Sequence, residues 1–408
     1  MMLKRKALSL AVAGAIGVPV AAFAETSNVE VYGRLYPEFT VLSGSGATAA
    51  GTTGLSTLAR TPTGLNVKSR NSVDASNSRI GFRGTEDLGG GLSAIWQIEN
   101  QVSLDSGASN PLAARESFVG LRGGFGTVRL GNMDTVYKRL GDPIRFMGIA
   151  SGNHVSDSNI ISSRMPFGNS SAGSFHLREP NSLLYQTPNL GGTTLYAQYS
   201  PDTNESATPT TTTKREFWSL GARYRRGPLY LALAHEIHKD FFGGSNSAPT
   251  ALSNTANANA HSNDTSTRLT GMWTYSDAGR VSLDVASFDY SESGGLAGRF
   301  ENYKNKRWAV TWEQRWGGGA WRTAAAYANS SAGSCGLVGG ATCTTDGLNG
   351  NMIALGGEYS FSKRTALFAL YSRLNNGESS SYRNAENVSP YETGMDVTQY
   401  SLGIRHNF

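Results

Sequence analysis

Charged residues are scarce in this 408-residue chain: Asp, Glu, Lys and Arg make up 16 % of it, where soluble globular proteins carry about a quarter. Cysteine is nearly absent. Two residues with no Cys/His spacing pattern exclude a zinc or iron–sulfur framework. Beyond the N-terminal segment no run of about 18 apolar residues occurs, which excludes a membrane-spanning helix. No Gly-x-x-x-x-Gly-Lys loop is present, so no nucleotide drives the chemistry, and no cofactor is expected. Proline is limited to 13 residues, whereas glycine reaches 49 and aromatics 10 %. Aromatic content of that size excludes wholesale disorder. A chain rich in Gly, Ser, Thr, Asn and aromatics suits a large all-β protein, and it is the composition of a transmembrane β-barrel.

The first 24 residues read as an address. Lys4, Arg5 and Lys6 form a basic start, Ala7 to Val18 a short apolar stretch, and Ala22-Phe23-Ala24 a small-residue cleavage pattern. Residues 1–24 are therefore expected to be a cleaved signal peptide and 25–408 a single barrel domain. Cleavage removes three cations and no acid, leaving 33 Lys+Arg against 31 Asp+Glu, a net charge of +2 instead of +5. That near balance argues against a nucleic-acid partner.

The remainder alternates with period two. Val29, Val31, Leu35, Phe39 and Val41 oppose Glu30, Tyr32, Arg34, Tyr36, Glu38 and Thr40. Further strands are expected near 77–86, 92–103, 114–122, 127–136, 181–187, 193–200, 215–225, 228–238, 266–275, 280–290, 306–316, 320–328, 351–361, 365–373 and 398–408, sixteen in all. For 114–122 and 365–373 either face could point outward. Short Gly- or Pro-centred turns alternate with long polar connections at 44–75, 137–180, 201–214, 239–265, 291–305, 329–350 and 374–397. A soluble sandwich has no reason to sort its loops by parity. A membrane barrel does, because successive connections lie on opposite sides of the bilayer, with short periplasmic turns and long external loops. Closure is expected because an open sheet edge in lipid would strand a row of backbone donors and acceptors. The expected fold is thus an all-β, 16-stranded antiparallel transmembrane barrel.

Several segments resemble the general diffusion porins of the Gram-negative outer membrane, in their betaproteobacterial branch. They are Val31-Tyr32-Gly33-Arg34-Leu35, Ser78-Arg79-Ile80-Gly81-Phe82-Arg83-Gly84, Ser117-Phe118-Val119-Gly120-Leu121, Tyr185-Gln186-Thr187-Pro188, Ser362-Lys363-Arg364-Thr365 and Gly403-Ile404-Arg405-His406-Asn407-Phe408. One position departs: Asn132 stands where the pattern Leu-Gly-Arg would place a basic residue. The resemblance implies a homotrimer in outer-membrane lipid, with one water-filled pore per barrel for small hydrophilic solutes and ions. It also implies that the third external loop folds inward. Segment 137–180 fits that role, since it holds Ile144, Phe146, Met147, Ile149, Ile160, Ile161, Met165 and Phe167, residues a hydrated loop has little use for. Outward packing on a neighbour is the alternative.

Within that segment Lys138, Arg139, Arg145, Arg164 and Arg178 outnumber Asp142, Asp157 and Glu179. The resemblance implies an arginine cluster at the narrowest point, carried over to Arg79, Arg115 and Arg178. Arg34 and Arg83 have lumen-facing parity and extend it as a basic track, opposite Asp157 or a neighbouring loop carboxylate. Arginine rings favour anions. Weak anion selectivity is the expectation, with passive diffusion as the mode of ion transport. Cys335 and Cys343 share one external loop and would reach an oxidising compartment, which leaves a loop-closing disulfide or two free thiols.

An enzyme is the first rival. The six histidines lie without a Ser–His–acid arrangement, and His235 and His238 would point to opposite faces of one strand. The second rival is a substrate-specific outer-membrane channel for an organic acid or a sugar.

Overall fold

The computed structural model describes residues 28–408 apart from 76, 149–154, 163–164, 169, 202–212 and 384–391. The expected signal peptide therefore lies outside the described residues. The strands are β1 (Asn28–Leu35), β2 (Glu38–Ser45), β3 (Val67–Asp74), β4 (Arg79–Gly89), β5 (Leu92–Gln101), β6 (Ser117–Gly123), β7 (Gly126–Asp134), β8 (Arg178–Gln186), β9 (Thr193–Ser200) and β10 (Glu216–Arg226). They continue as β11 (Leu229–Lys239), β12 (His261–Ser276), β13 (Gly279–Ser293), β14 (Phe300–Trp316), β15 (Trp321–Ser330), β16 (Ser334–Leu337), β17 (Gly350–Ser360), β18 (Thr365–Asn376) and β19 (Asp396–Asn407).

All belong to one closed antiparallel sheet. Its wall has sixteen staves. β1 and β2 are one stave bent at Tyr36-Pro37, and β3 and β4 are another, interrupted between Asp74 and Arg79. Pro37 explains the first bend, because it has no N–H for the ladder. The two interruptions face each other, with Ser78 Oγ accepting from the Tyr36 N–H at 2.9 Å. β16 is a short ribbon on β14, within an external loop. The seam closes where Gly33 N–H donates to the Phe408 carbonyl at 3.1 Å and Phe408 N–H donates to the Gly33 carbonyl at 3.2 Å. A Cβ on Gly33 would stand 2.4 Å from the Phe408 ring, so only glycine lets the last side chain lie across the first stave.

Several boundaries differ from the expectation. Residues 67–74 form β3, inside the expected loop 44–75. Their run Lys68-Ser69-Arg70-Asn71-Ser72 has no apolar alternation, and pairing with β2 holds them extended instead. β12, β13 and β14 are 16, 15 and 17 residues long and reach well into the expected loops.

The outer face is apolar. Val29, Leu130, Leu233, Leu269, Leu283, Ile353 and Ile404 are exposed on it. β6 turns Val119 and Leu121 outward and β18 turns Leu367 outward, which resolves the two ambiguous strands. Trp316, Trp321, Tyr359 and Phe361 cluster beside the short turns, while Tyr199–Trp218 (4.4 Å) and Tyr371–Tyr400 (5.2 Å) pair toward the opposite rim. These are the aromatic girdles of a membrane barrel.

Inside, the connection from β7 to β8 crosses the lumen. It starts with helix α1 (Val136–Leu140), where Thr135 Oγ1 caps the Lys138 N–H. α1 is fastened to the wall by side chains of four strands. Gln198 accepts from Val136 N–H, Ser219 accepts from Tyr137 N–H, Tyr230 donates to the Leu140 carbonyl, and Arg268 donates to the Gly141 carbonyl. Beyond α1 the loop reaches the far wall, where α2 (Ser158–Ile161) lies against β13 to β17 and Arg307 Nη1 donates to the Ile160 carbonyl at 3.0 Å. Phe146, Met147, Ile160, Ile161, Met165 and Phe167 are all buried there, over Ala286, Ala309, Ala324, Ala326, Ala328 and Ala354. The inward loop is therefore a packed element and not a hydrated flap.

Candidate functional site: the narrowed lumen

The crossing loop leaves a charged recess of about 180 Å³ between itself and the wall of β4, β5 and the 102–116 connection. Six cations line it: Arg79, Arg115, Lys138, Arg139, Arg145 and Arg178. Four carboxylates accompany them: Glu99, Glu116, Asp134 and Asp142.

Arg79 opens β4 at the stave interruption, level with Arg34 on β1. Glu99 on β5 lies between Arg79 and Arg115, at 3.6 Å from the first and 2.6 Å from the second. Arg178, at the start of β8, shares Asp134 with Lys138, each at 2.9 Å. Arg139 binds Glu116. Arg145 is exposed and has no ion-pair partner among the described residues. The carboxylates thus orient the guanidinium groups, while the sum of charges stays positive.

Arg79, Arg115 and Arg178 are brought together. Arg34 donates to Asn407 Oδ1 at 3.1 Å and stands within electrostatic reach of Arg79 and Arg145. Arg83 is held by Glu30 through two bonds of 2.9 and 2.6 Å, with its charge compensated and away from the recess. Asp157 does not line the recess: it accepts from Thr311 Oγ1 on β14 at 3.1 Å. The loop carboxylate that does line the recess is Asp142. Arg164 lies outside the described residues.

Burial and the nearby Asp157 push the Asp142 carboxyl up to about 7, against the pull of Arg145 and Arg268. Burial also lowers Lys138, although Asp134 favours its charged form.

Sequence reasoning missed Glu99, Glu116 and Asp134, which fix the arginines, and it gave Asn132 no role. Asn132 Nδ2 donates to the carbonyls of Ala113 and Arg115 at 3.3 and 3.1 Å. It anchors the backbone that presents Arg115, a contact across strands that spacing does not reveal. His238 is buried on Glu236 at 3.0 Å, whereas His235 binds Thr267, so the two histidines face apart. Cys335 and Cys343 are disulfide-bonded, with Cα atoms 5.6 Å apart.

Residues 7–379 match the Gram-negative porin family. The chain belongs to that family. Among curated relatives, the major outer membrane protein P.IB of Neisseria lactamica is 31 % identical over 170 residues, covering 41 % of this chain and 44 % of its own length. The P.IB protein of Neisseria meningitidis serogroup B is 53 % identical over 68 residues, 16 % of this chain and 19 % of its own. The porin thus spans less than half of the relatives it matches. Among solved structures, an anion-selective porin from Comamonas acidovorans superposes with a TM-score of 0.67 at 22 % identity, covering 94 % of this chain and all of that one. Salmonella typhi OmpF, in complex with daunomycin, gives 0.55 at 16 % identity over 93 % and 97 %. These likenesses are of fold. Family and barrel together place this porin in the outer membrane as a multi-pass protein crossing by transmembrane β-strands.

Proposed function

We propose that the porin is a homotrimeric general diffusion channel for small hydrophilic solutes and ions, with a modest preference for anions. The observation that carries the preference is the six-to-four excess of cations in the recess beside the crossing loop. The loop sets the width, and Arg79, Arg115 and Arg178, with Arg34 alongside, set the field. An anion 4 Å from one net positive charge gains about 1 kcal/mol in a water-like medium, roughly five-fold in local concentration. Selectivity is therefore moderate, the more so because salt screens charges beyond about 8–10 Å. Guanidinium groups hold anions weakly enough to release them, which conduction requires. No reacting group is involved, and solutes run down their gradients. The anion-selective porin of Comamonas acidovorans, to which the fold is similar, fits this reading.

The test is the reversal potential of the purified protein in a planar bilayer under a KCl gradient. An anion-preferring sign that weakens in Arg79→Ser/Arg115→Ser supports the assignment. A cation-preferring sign overturns it. Migration as a monomer on native gels would remove the trimer.

A further inference from the structure

The periplasmic end of the lumen carries a second group of cations that the constriction does not use. The β14–β15 and β17–β18 turns border a recess of about 420 Å³, lined by Arg315, Arg322, Lys363 and Arg405 with one carboxylate, Glu358. Arg315 is the register partner of Arg322, and Arg322 of Glu358, so all three share the inner face. Glu358 is already engaged. Arg405 grips both its oxygens at 3.0 and 2.8 Å, and Arg322 Nη2 adds a bond of 2.8 Å. Glu313 stands 3.5 Å from Arg322 and also holds Arg280 at 2.9 Å. Arg315 and Lys363 are exposed and have no ion-pair partner among the described residues. Arg34 connects this group to the constriction: it lies within electrostatic reach of Arg405 as well as of Arg79 and Arg145.

We propose that this recess is a second anion station at the periplasmic exit, suited to a small oxyanion such as phosphate. It rests on the anion-conducting reading above and deepens it. A guanidinium fork matches two oxygens of an oxyanion and offers chloride no such geometry, while Lys363 adds a mobile point charge. The recess, at about 420 Å³, has room for more than the bare ion, so the oxyanion keeps part of its hydration shell. Binding is accordingly weak, on the order of millimolar. Such a station slows a departing oxyanion without trapping it, and it makes the two ends of the channel unequal.

The experiment is single-channel recording of the oriented protein in KCl at pH 8, with inorganic phosphate added to one side at constant ionic strength. Phosphate on the periplasmic side is expected to reduce the chloride current saturably, and external phosphate much less. In Arg315→Gln/Lys363→Gln the half-blocking concentration is expected to rise about ten-fold, with the sign of the KCl reversal potential retained. Equal block from both sides, or block unchanged in the double variant, overturns the station. The two readings fail separately, because the reversal potential and its response to Arg79→Ser/Arg115→Ser report the constriction, whereas sided block reports the station.

Discussion

The inner wall has two regions built to opposite rules, one beneath the crossing loop and one across the channel from it. From β13 to β17 it presents Ala286, Ala309, Ala324, Ala326, Ala328 and Ala354, all buried beneath the crossing loop. From β19 through β1, β4 and β5 it presents Arg405, Arg34, Arg79 and Glu99, side chains that meet water and one another. A loop that carries Phe146, Met147, Ile160, Ile161 and Phe167 needs shallow neighbours, so that its own side chains fill the depth. The other region must stay hydrated to conduct, and only charges or hydroxyls keep a narrow space wet. On the reading proposed above, pore width follows from the loop seated on the alanines, and pore charge from the arginine wall together with the cations of that loop.

The largest effect should come from spoiling the seat. Ala326→Phe places a ring where the loop packs, and overpacking costs about 1–3 kcal/mol. The loop should leave the wall. Single-channel conductance should rise and anion preference fall together, since Arg145, next to Phe146 and Met147, travels with the loop. An unchanged conductance would show that other contacts, such as Arg307 to the Ile160 carbonyl, hold it alone.

A smaller effect should come from pH. The Asp142 carboxyl, raised to about 7, is charged above that pH and neutral below it. Lowering pH from 8.5 to 5.5 therefore removes a negative charge from the recess, and anion preference should strengthen by up to about five-fold, with a midpoint near 7. Asp157, also raised by burial, does not line the recess and acts on it through its repulsion of Asp142. Asp142→Asn should show the strong preference at every pH. A wild-type reversal potential flat across this range would remove Asp142 from the conducting path.

The smallest effect concerns the external loop. Peptide mass mapping without reduction should recover Cys335 joined to Cys343. Cys335→Ser/Cys343→Ser should leave conductance unchanged within error, because the pair lies in an external loop and neither cysteine lines the charged recess. Recovery of both as alkylated thiols from envelope protein would refute the bond.

Much of the barrel was legible because a membrane enforces a simple code. Period-two alternation places Trp308, Val310 and Trp312 outward and Arg307 and Glu313 inward, and loop parity follows from the two sides of the bilayer. β3 escaped because its polar run carries no alternation. The alanines of β13 to β17 were visible in the sequence but pass for ordinary small residues until a loop is found lying on them. The basic residues were legible as a population; their division into recess, rim and compensated pairs was not. Arg83 and Arg79 have the same parity four residues apart, yet one is neutralised by Glu30 and the other lines the recess.

The sequence by itself determined the number of staves, which face meets lipid in all of them but 114–122 and 365–373, and which connection has the apolar content to fold inward. Each follows from local periodicity or composition, written in neighbouring residues. Tertiary structure decided which carboxylate meets which arginine: Glu99 with Arg79 and Arg115, Asp134 with Arg178 and Lys138, and Asp142 in place of Asp157 at the recess. Those pairings join residues on different strands and loops. Their distances depend on barrel closure and on where the crossing loop comes to rest, and no spacing along the chain encodes either.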